Sequence, residues 1–328
     1  MKERFVPARL IANPHLQTVW GRLTRPRRLV STTREVVTTP DGDELVLDHL
    51  EGDPDRRFVL FHGLEGSSNS VYIQGLLRRI ESIGAAATAV NFRSCAREPG
   101  DLRRMIPNRT MRLYHSGETS DPDLVLNLLR RRHPSAHIVA FGGSLGGNAL
   151  LKWLGENPDQ SVVSAAATIS VPYDLGAGAD YMERWPARHY VDSFLSTLKK
   201  KAREKMRKFE EARRRIDRER LARSRTFREF DDAGTAPLHG MRGADEYYRT
   251  CSSIDYLPSI RTPTLCISSI DDPFLPPEAL ERAKKYASAA VSFEITPRGG
   301  HMGFISGIRG ERRYWAEGRV MEWLADRN

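Results

Sequence analysis

From Glu35 to Leu50 the chain alternates apolar and polar positions in two runs, E-V-V-T-T-P and E-L-V-L-D-H-L, around Asp41-Gly42. Strict alternation marks strands with one solvated face, and Asp-Gly marks a tight turn, so the segment reads as a β-hairpin. Further on, alternation gives way to continuous apolar runs at Arg57–His62, Ala85–Phe92, His137–Phe141, Val162–Val171, Thr264–Ser269 and Val291–Thr296. Such runs suit strands buried on both faces of a parallel sheet. Between them, Ser70–Ser82, Asp121–Arg132, the stretch from Leu145, Glu278–Ala287 and Arg312–Leu324 read as helices. A hairpin followed by strands and helices in alternation predicts an α/β fold. Its sheet is mostly parallel and eight-stranded, with helices on both faces.

The alternation breaks between Leu175 and Thr250, where aromatic, basic and helical sequence replaces any strand pattern. An insertion late in an α/β series is read as a helical cap, at about 175–250, over the carboxyl edge of the sheet. Residues 1–34 are read as an N-terminal arm packed on the core, and residues 35–328 as one domain carrying the cap. No internal repeat or low-complexity tract interrupts this order.

Composition narrows the setting. With 40% hydrophobic residues in 328, the chain can bury a large core. Its start has no apolar signal region, and no apolar run reaches the length of a membrane span. Three scattered cysteines, Cys95, Cys251 and Cys266, suggest neither a disulfide framework nor a zinc site, so a cytoplasmic setting is expected. The net charge of +9 is concentrated in Lys199–Arg228, which holds 15 Lys or Arg against 5 Asp or Glu. There Glu204/Lys208, Glu210/Arg214, Glu211/Arg215 and Glu219/Arg223 stand at i,i+4 in the stabilising order, and Met206, Phe209 and Ile216 recur on one face. A solvated amphipathic helix is expected. No zinc-finger, RRM or KH signature accompanies the charge, so nucleic acid is not an expected partner.

Candidate chemistry centres on H-I-V-A-F-G-G-S-L-G-G-N-A-L-L, from His137 to Leu151. Gly142-Gly143-Ser144-Leu145-Gly146 is a G-x-S-x-G motif between strand and helix, the context of a nucleophile elbow. A sharp turn of this kind needs glycines two residues either side of the serine, where side chains would meet neighbouring backbone. The spacing is not G-x-G-x-x-G and no G-K-[ST] follows, so dinucleotide and phosphate loops are set aside.

A serine hydroxyl needs a base, and the base an orienting acid, in the chain order Ser, Asp or Glu, His. Asp271-Asp272 follow the strand Thr264–Ser269, and His301 follows Val291–Thr296 and Gly299-Gly300. Each group therefore lies beyond a strand's carboxyl end, where α/β sheets place their chemistry. Two N–H donors are needed for an oxyanion. Leu145 supplies one, and Leu64, in His62-Gly63-Leu64-Glu65-Gly66, supplies the other. No paired His or Cys spacing supports reading His62 as a metal ligand, and no metal or cofactor is expected.

Taken with these residues, longer motifs extend over nearly the whole chain. They are Asn13-Pro14-His15-Leu16-Gln17-Thr18, F-H-G-L-E-G-S-S-N-S from Phe61, Y-H-S-G-E-T from Tyr114, S-V-P-Y-D-L from Ser170, R-E-F-D-D-A-G-T-A-P-L-H-G from Arg228 and G-G-H-M-G-F-I from Gly299. With them the chain resembles the YheT-like branch of the α/β-hydrolase superfamily. The resemblance implies an α/β-hydrolase fold and a Ser-His-Asp esterase or lipase-like enzyme without cofactor. Its triad falls on Ser144, Asp272 and His301. Asp272 heads D-P-F-L-P, similar to the D-x-x-(V/L)-P pattern often found after this strand in α/β-hydrolases; Asp271 is the alternative acid. Two positions depart from the family pattern: Ser94 stands where glycine is usual, and Gly143 where phenylalanine is frequent. Eukaryotic relatives carry an N-terminal membrane anchor, and no such segment is expected here.

The expected substrate is a small-molecule or lipid ester, its acyl group walled by cap residues such as Tyr181, Trp185 and Phe194. The basic helix is expected to allow transient contact with an anionic membrane surface. Two other functions stand beside hydrolysis: acyl transfer by the same triad, and non-catalytic binding through the basic helix. Asn13–Thr18 and His115 are read as arm docking and a satisfied loop histidine.

Overall fold

A short helix, α1 (Pro14–Thr24), opens the chain; Asn13 caps it, its Oδ1 accepting the N–H of His15 (2.9 Å) and Leu16 (3.2 Å), with Pro14 at the first helical position. The hairpin follows as β1 (Thr33–Thr38) and β2 (Glu44–Leu50), with Val36 opposite Val46 and Gly42 at φ +75° in the turn. Next come β3 (Asp53–Phe61), α2 (Val71–Ser82), β4 (Ala85–Asn91), the small ribbon β5 (Arg97–Glu98) and β6 (Asp101–Met105), and α3 (Ser120–Arg132). The central unit is β7 (His137–Gly143), α4 (Leu145–Glu156) and β8 (Ala165–Ile169). Seven helices follow: α5 (Leu175–Tyr181), α6 (Arg188–Lys208), α7 (Glu210–Arg215), α8 (Arg218–Arg223), α9 (Phe227–Phe230), α10 (Ala236–Leu238) and α11 (Ala244–Cys251). The chain closes with β9 (Thr264–Ser269), α12 (Pro277–Tyr286), β10 (Val291–Thr296) and α13 (Trp315–Ala325). The structure, a computed structural model, describes residues 4–25, 28–307, 313–325 and 327. The expected start of the last helix at Arg312 lies outside them.

The eight-stranded sheet has the order β1-β2-β4-β3-β7-β8-β9-β10; only the β1/β2 and β2/β4 pairs are antiparallel. Side chains alternate across it as strand geometry requires. Phe58 and Leu60 of β3 face Ile73 and Leu77 of α2 and Val320 of α13. Val59 and Phe61 face the opposite layer, with Leu126 of α3, Leu150 of α4 and Leu280 of α12. Helices thus cover both faces, and the loops after β3, β7, β9 and β10 all leave from one edge.

The helical run between β8 and β9 has its own small core, in which Val191, Leu195, Met206, Ile216, Leu221 and Phe230 meet. Here the structure corrects the single solvated helix expected over Lys199–Arg228. Phe209 (φ −125°, ψ 122°) and Ile216 (φ −82°, ψ 124°) are extended, and they divide the run into α6, α7 and α8. Ile216 is buried in that small core and Phe209 packs against it. Glu210–Arg214 (2.5 Å) and Glu211–Arg215 (2.7 Å) pair on the exposed side as expected, whereas Glu204 reaches Arg207 (3.8 Å). Lys201 and Lys205 are buried. Lys201 Nζ donates to Glu65 Oε1 (2.7 Å), and Lys205 Nζ donates to Asn108 Oδ1 (2.7 Å).

Asn108 passes that connection on, donating through Nδ2 to Asp43 Oδ2 (2.6 Å) in the hairpin. Buried Arg93 donates to Asp41 (2.7 Å), Asp43 (2.9 Å) and Asp121 (2.7 Å), so one guanidinium joins the hairpin turn to α3. Ser94, beside it, sits at φ +60°, which explains why glycine suits that position; its hydroxyl donates to Asn108 Oδ1 (2.5 Å) and accepts from Asn108 N–H (3.1 Å).

Burial lowers the pKa of His62 to about 3, of His115 to about 4 and of His239 to about 3, so all three are neutral in the folded chain. The unfolded chain titrates near 6.5 and alone takes up these protons as pH falls below that value. Each histidine then removes about 1.4 kcal/mol of stability per pH unit. Asp121 and Asp231, raised by burial, act in the opposite direction at lower pH, but two carboxyls do not offset three histidines. Urea unfolding at about pH 7 and about pH 5 should therefore show a marked loss of stability at the lower pH. A flat profile would contradict neutral burial of these rings.

Candidate active site

The turn from β7 into α4 is made at Ser144, with φ +52° and ψ −121°. A non-glycine residue holds this conformation only when its surroundings enforce it. Ser144 N–H donates to Ile169 O (2.9 Å), and Ser144 O accepts from the N–H of Gly147 (2.9 Å) and Asn148 (3.1 Å). The flanking glycines are required by close approach. A Cβ on Gly142 would lie 2.5 Å from Gly147 Cα, and one on Gly146 would lie 2.6 Å from Phe61 O and overlap His62 O. Around Gly143, Tyr72 and Met302 occupy the space that a larger residue would take, each 2.9 Å from a Cβ built there.

His301 reaches this serine from the loop after β10. Its Nε2 is 2.9 Å from Ser144 Oγ, and its Nδ1 is 3.0 Å from Asp272 Oδ2 and 3.1 Å from Oδ1. Phe274 stacks on the imidazole at 4.0 Å between centroids. Asp272 Oδ1 also accepts Phe274 N–H (2.8 Å), which fixes the carboxylate. Asp271 points elsewhere: its Oδ1 accepts Gly300 N–H (2.9 Å), tethering the histidine loop. The two adjacent aspartates therefore have different contacts, one with the ring and one with the backbone beneath it.

After β3, two tyrosine hydroxyls take the amides on either side of Leu64. Gly63 N–H donates to Tyr72 Oη (2.6 Å), and Glu65 N–H donates to Tyr114 Oη (2.6 Å). Burial pushes Tyr72 up to about 12, so its hydroxyl stays protonated. Glu65 itself has φ +56° and is held by Lys201 and by Tyr114 Oη (2.8 Å). Leu64 N–H has no protein acceptor among the described residues. The Leu145 N–H, first of α4, has no acceptor within its helix, and the helix N-terminus adds its positive dipole. His62 is locked into the same turn. Its Nδ1–H donates to Gly63 O (2.7 Å) and its Nε2 accepts Phe92 N–H (3.1 Å), which accounts for both ring nitrogens. Among the described residues no group of three or more His, Cys, Asp or Glu is placed to hold a metal ion.

A cavity of about 750 Å³ opens beside Ser144, His301, Leu64 and Leu145. Leu175, Met182, Phe194, Leu198, Phe227 and Phe274 give it apolar walls, while Glu65, Ser67, Asn69 and Arg97 line a polar part. The wall differs from expectation. Phe194 lines it; Trp185 is 81% exposed and Tyr181 lies outside the lining. The turn between α5 and α6 carries Trp185 outward, and Met182 takes the inward place.

Gln17 and Thr18 of α1, expected from the sequence only to dock the arm, also line the cavity and bond the histidine loop. Asn13-Pro14 is a helix-start signature that could have revealed α1. Asp231 and Thr235, in a π-helical turn (Asp231–Thr235), line the cavity as well, and Tyr248 Oη donates to Asp231 Oδ2 (2.7 Å). No helix among the described residues is long and apolar enough to cross a membrane.

Residues 56–308 match the family model described as alpha/beta hydrolase fold. The chain is similar to the Escherichia coli (strain K12) protein named "Putative esterase YheT", with 36% identity over 324 residues covering 98% of this chain and 92% of that one. It is 29% identical over 322 residues to phospholipase ABHD3 of Homo sapiens, covering 91% of this chain and 75% of that one. The esterase Pf2001 of Pyrococcus furiosus shares the fold, with a TM-score of 0.59 at 14% identity over 92% of this chain and 96% of that one.

The packing at the turn is directly testable. Gly146→Ala drives a methyl into the backbone at the end of β3, a contact that no rotamer can relieve. The expected result is a loss of about 3 kcal/mol or more in chemical unfolding, at the upper end for overpacked sites. Parent-like stability would show that the turn and β3 are not in close contact.

Proposed function

The chain belongs to the α/β-hydrolase family, in the branch of YheT, and from that premise we propose that it cleaves carboxylic esters through a Ser144-His301-Asp272 triad and an acyl-enzyme. Ester hydrolysis itself follows from the kinship with esterases and lipases. The observation that carries the finer reading is one unbroken hydrogen-bonded line, from Ser144 Oγ through both nitrogens of His301 to Asp272, at the floor of the cavity.

Ser144 Oγ attacks the carbonyl carbon as His301 Nε2 takes its proton. Asp272, bonded to Nδ1–H, orients the ring and stabilises the imidazolium. The Leu64 and Leu145 N–H groups receive the developing oxyanion, where preorganised donors act most strongly. Collapse expels the alcohol, protonated by His301, and leaves the acyl group on Ser144. Water, deprotonated by His301, then adds to this ester; the carboxylic acid departs and the proton returns to Ser144. The apolar walls suit an acyl chain and support lipid-like esters as substrates, in keeping with a relative named as a phospholipase. The cysteines Cys95, Cys251 and Cys266 are free and buried, which supports a reducing cytoplasm as the setting.

Hydrolysis of p-nitrophenyl esters tests both the acyl preference and the named residues. Activity should rise from the acetate to medium-chain esters, and Ser144→Ala should lower kcat by about a thousandfold or more. Asp272→Asn should lower kcat by about a thousandfold, and Asp271→Asn, which keeps an acceptor for Gly300 N–H, by less than about tenfold. Equal losses at the two aspartates would contradict Asp272 as the acid, and full activity in Ser144→Ala would contradict the mechanism.

A further inference from the structure

The loop that carries His301 belongs to no helix or strand, and its backbone bonds include a turn closed by Phe304 N–H on Gly299 O (3.0 Å) and one isolated bridge between Ile305 and Tyr314. Gly300 (φ +59°), Met302 (φ +60°) and Phe304 (φ +44°) all lie in the left-handed region, and two of the three have side chains. Each such non-glycine residue costs on the order of 1–3 kcal/mol unless its surroundings impose the conformation. Side chains from elsewhere impose it here. Asp271 accepts Gly300 N–H (2.9 Å), Ser170 Oγ accepts Met302 N–H (3.0 Å), and Gln17 Oε1 accepts Ile305 N–H (2.6 Å). His301 N–H itself is taken by Thr18 Oγ1 at 2.9 Å.

Thr18 is well set for this. Its hydroxyl donates to Pro14 O (2.7 Å), one turn back in α1, so an oxygen lone pair is left facing His301. Gln17 adds a second clamp, as its Nε2 donates to Ile11 O (2.8 Å) and Ile305 O (3.2 Å). The loop lies directly on the helix backbone. A Cβ on Gly300 would overlap Pro14 O and lie 2.9 Å from Gln17 Cβ, and one on Gly303 would lie 2.7 Å from the Gln17 carbonyl carbon. Asn13 in turn starts the helix at the residue before Pro14. The Asn13–Thr18 motif thus forms a strut under the imidazole, and it lies before residue 56, where the match to the family model begins.

We propose that Thr18 is a positioning residue for His301: its hydroxyl fixes the backbone of the base, and through it the placement of Nε2 on Ser144. The proposal rests on His301 acting as the base in ester hydrolysis. Thr18 touches no reacting atom in this account; it acts through the histidine. Removing the hydroxyl leaves His301 N–H without its partner and frees the ring to move from Ser144 by fractions of an ångström. Displacement on that scale lowers the chemical step, and a replacement of the same shape leaves the outline of the cavity unchanged.

The test compares Thr18→Val, Thr18→Ala and Thr18→Ser in p-nitrophenyl ester hydrolysis, with thermal unfolding of each and Ser144→Ala in the same assay. Thr18→Val, close in shape and lacking the hydroxyl, should lower kcat about tenfold or more with KM within about twofold, at near-parent melting temperature. Thr18→Ala, which also shortens a side chain lining the cavity, should lower kcat about tenfold or more whatever its KM, so the reading survives if either variant fails to fold. Thr18→Ser, which keeps the acceptor, should recover most of the rate. Parent-like kcat in a folded Thr18→Val or Thr18→Ala, a loss that Thr18→Ser does not recover, or a change confined to KM would overturn the proposal. If Ser144→Ala is inactive while Thr18→Val matches the parent, only the strut fails; if Ser144→Ala remains active, the underlying mechanism fails.

Discussion

The structure turns on one backbone constraint, a serine held at φ +52° between the end of a strand and the start of a helix. That conformation exists only because α4 lies against the carboxyl ends of β7 and β3 with no Cβ between them at Gly142 and Gly146. The same turn has two geometric consequences. It lifts the Ser144 hydroxyl clear of the sheet, and it leaves the first amide of α4 without an acceptor in its own helix. Strain at this point is maintained by the packing of the whole sheet, so core and chemistry are coupled through glycine contacts more than through any single hydrogen bond.

Around this point the molecule uses buried polar groups as fasteners between elements. Tyr72 and Tyr114 each take an amide of the turn after β3, and His62 bridges its own turn to Phe92. Lys201 and Lys205 reach from α6 to Glu65 and Asn108, so the helical segment is joined to the turn after β3 and, through Asp43, to the hairpin. α1 performs the same service for the histidine loop from the opposite end of the chain. Each fastener places a donor against an acceptor with little access to water, where leaving either one alone would be costly. The geometry at Ser144 is therefore set by residues spread from Asn13 to Met302.

Much of this could be read from the chain. The shift from alternating to continuous apolar runs marks the hairpin and the parallel strands, and Ser144, Asp272 and His301, in that order after β7, β9 and β10, form the grouping that the structure brings within hydrogen-bonding distance. Less was legible where tertiary contacts override local pattern. The basic run after Lys199 reads as a solvated helix because charge normally seeks water, yet Lys201 and Lys205 are buried against specific acceptors. Trp185 reads as a wall residue from its place in the helical insertion, but chain direction between α5 and α6 carries it outward. Gln17 and Thr18 give no sign of their contacts, since their partners at Ile305 and His301 lie nearly three hundred residues away.

The central claim is that the strained Ser144 is the nucleophile, activated by His301. The most direct measurement is intact-mass analysis and peptide mapping after reaction with an alkyl fluorophosphonate, which phosphonylates an activated serine hydroxyl with loss of fluoride. The account predicts a single adduct on the peptide containing Ser144, none on Ser144→Ala, and slow formation on His301→Ala. An adduct at another residue, or labelling that survives Ser144→Ala unchanged, would contradict it.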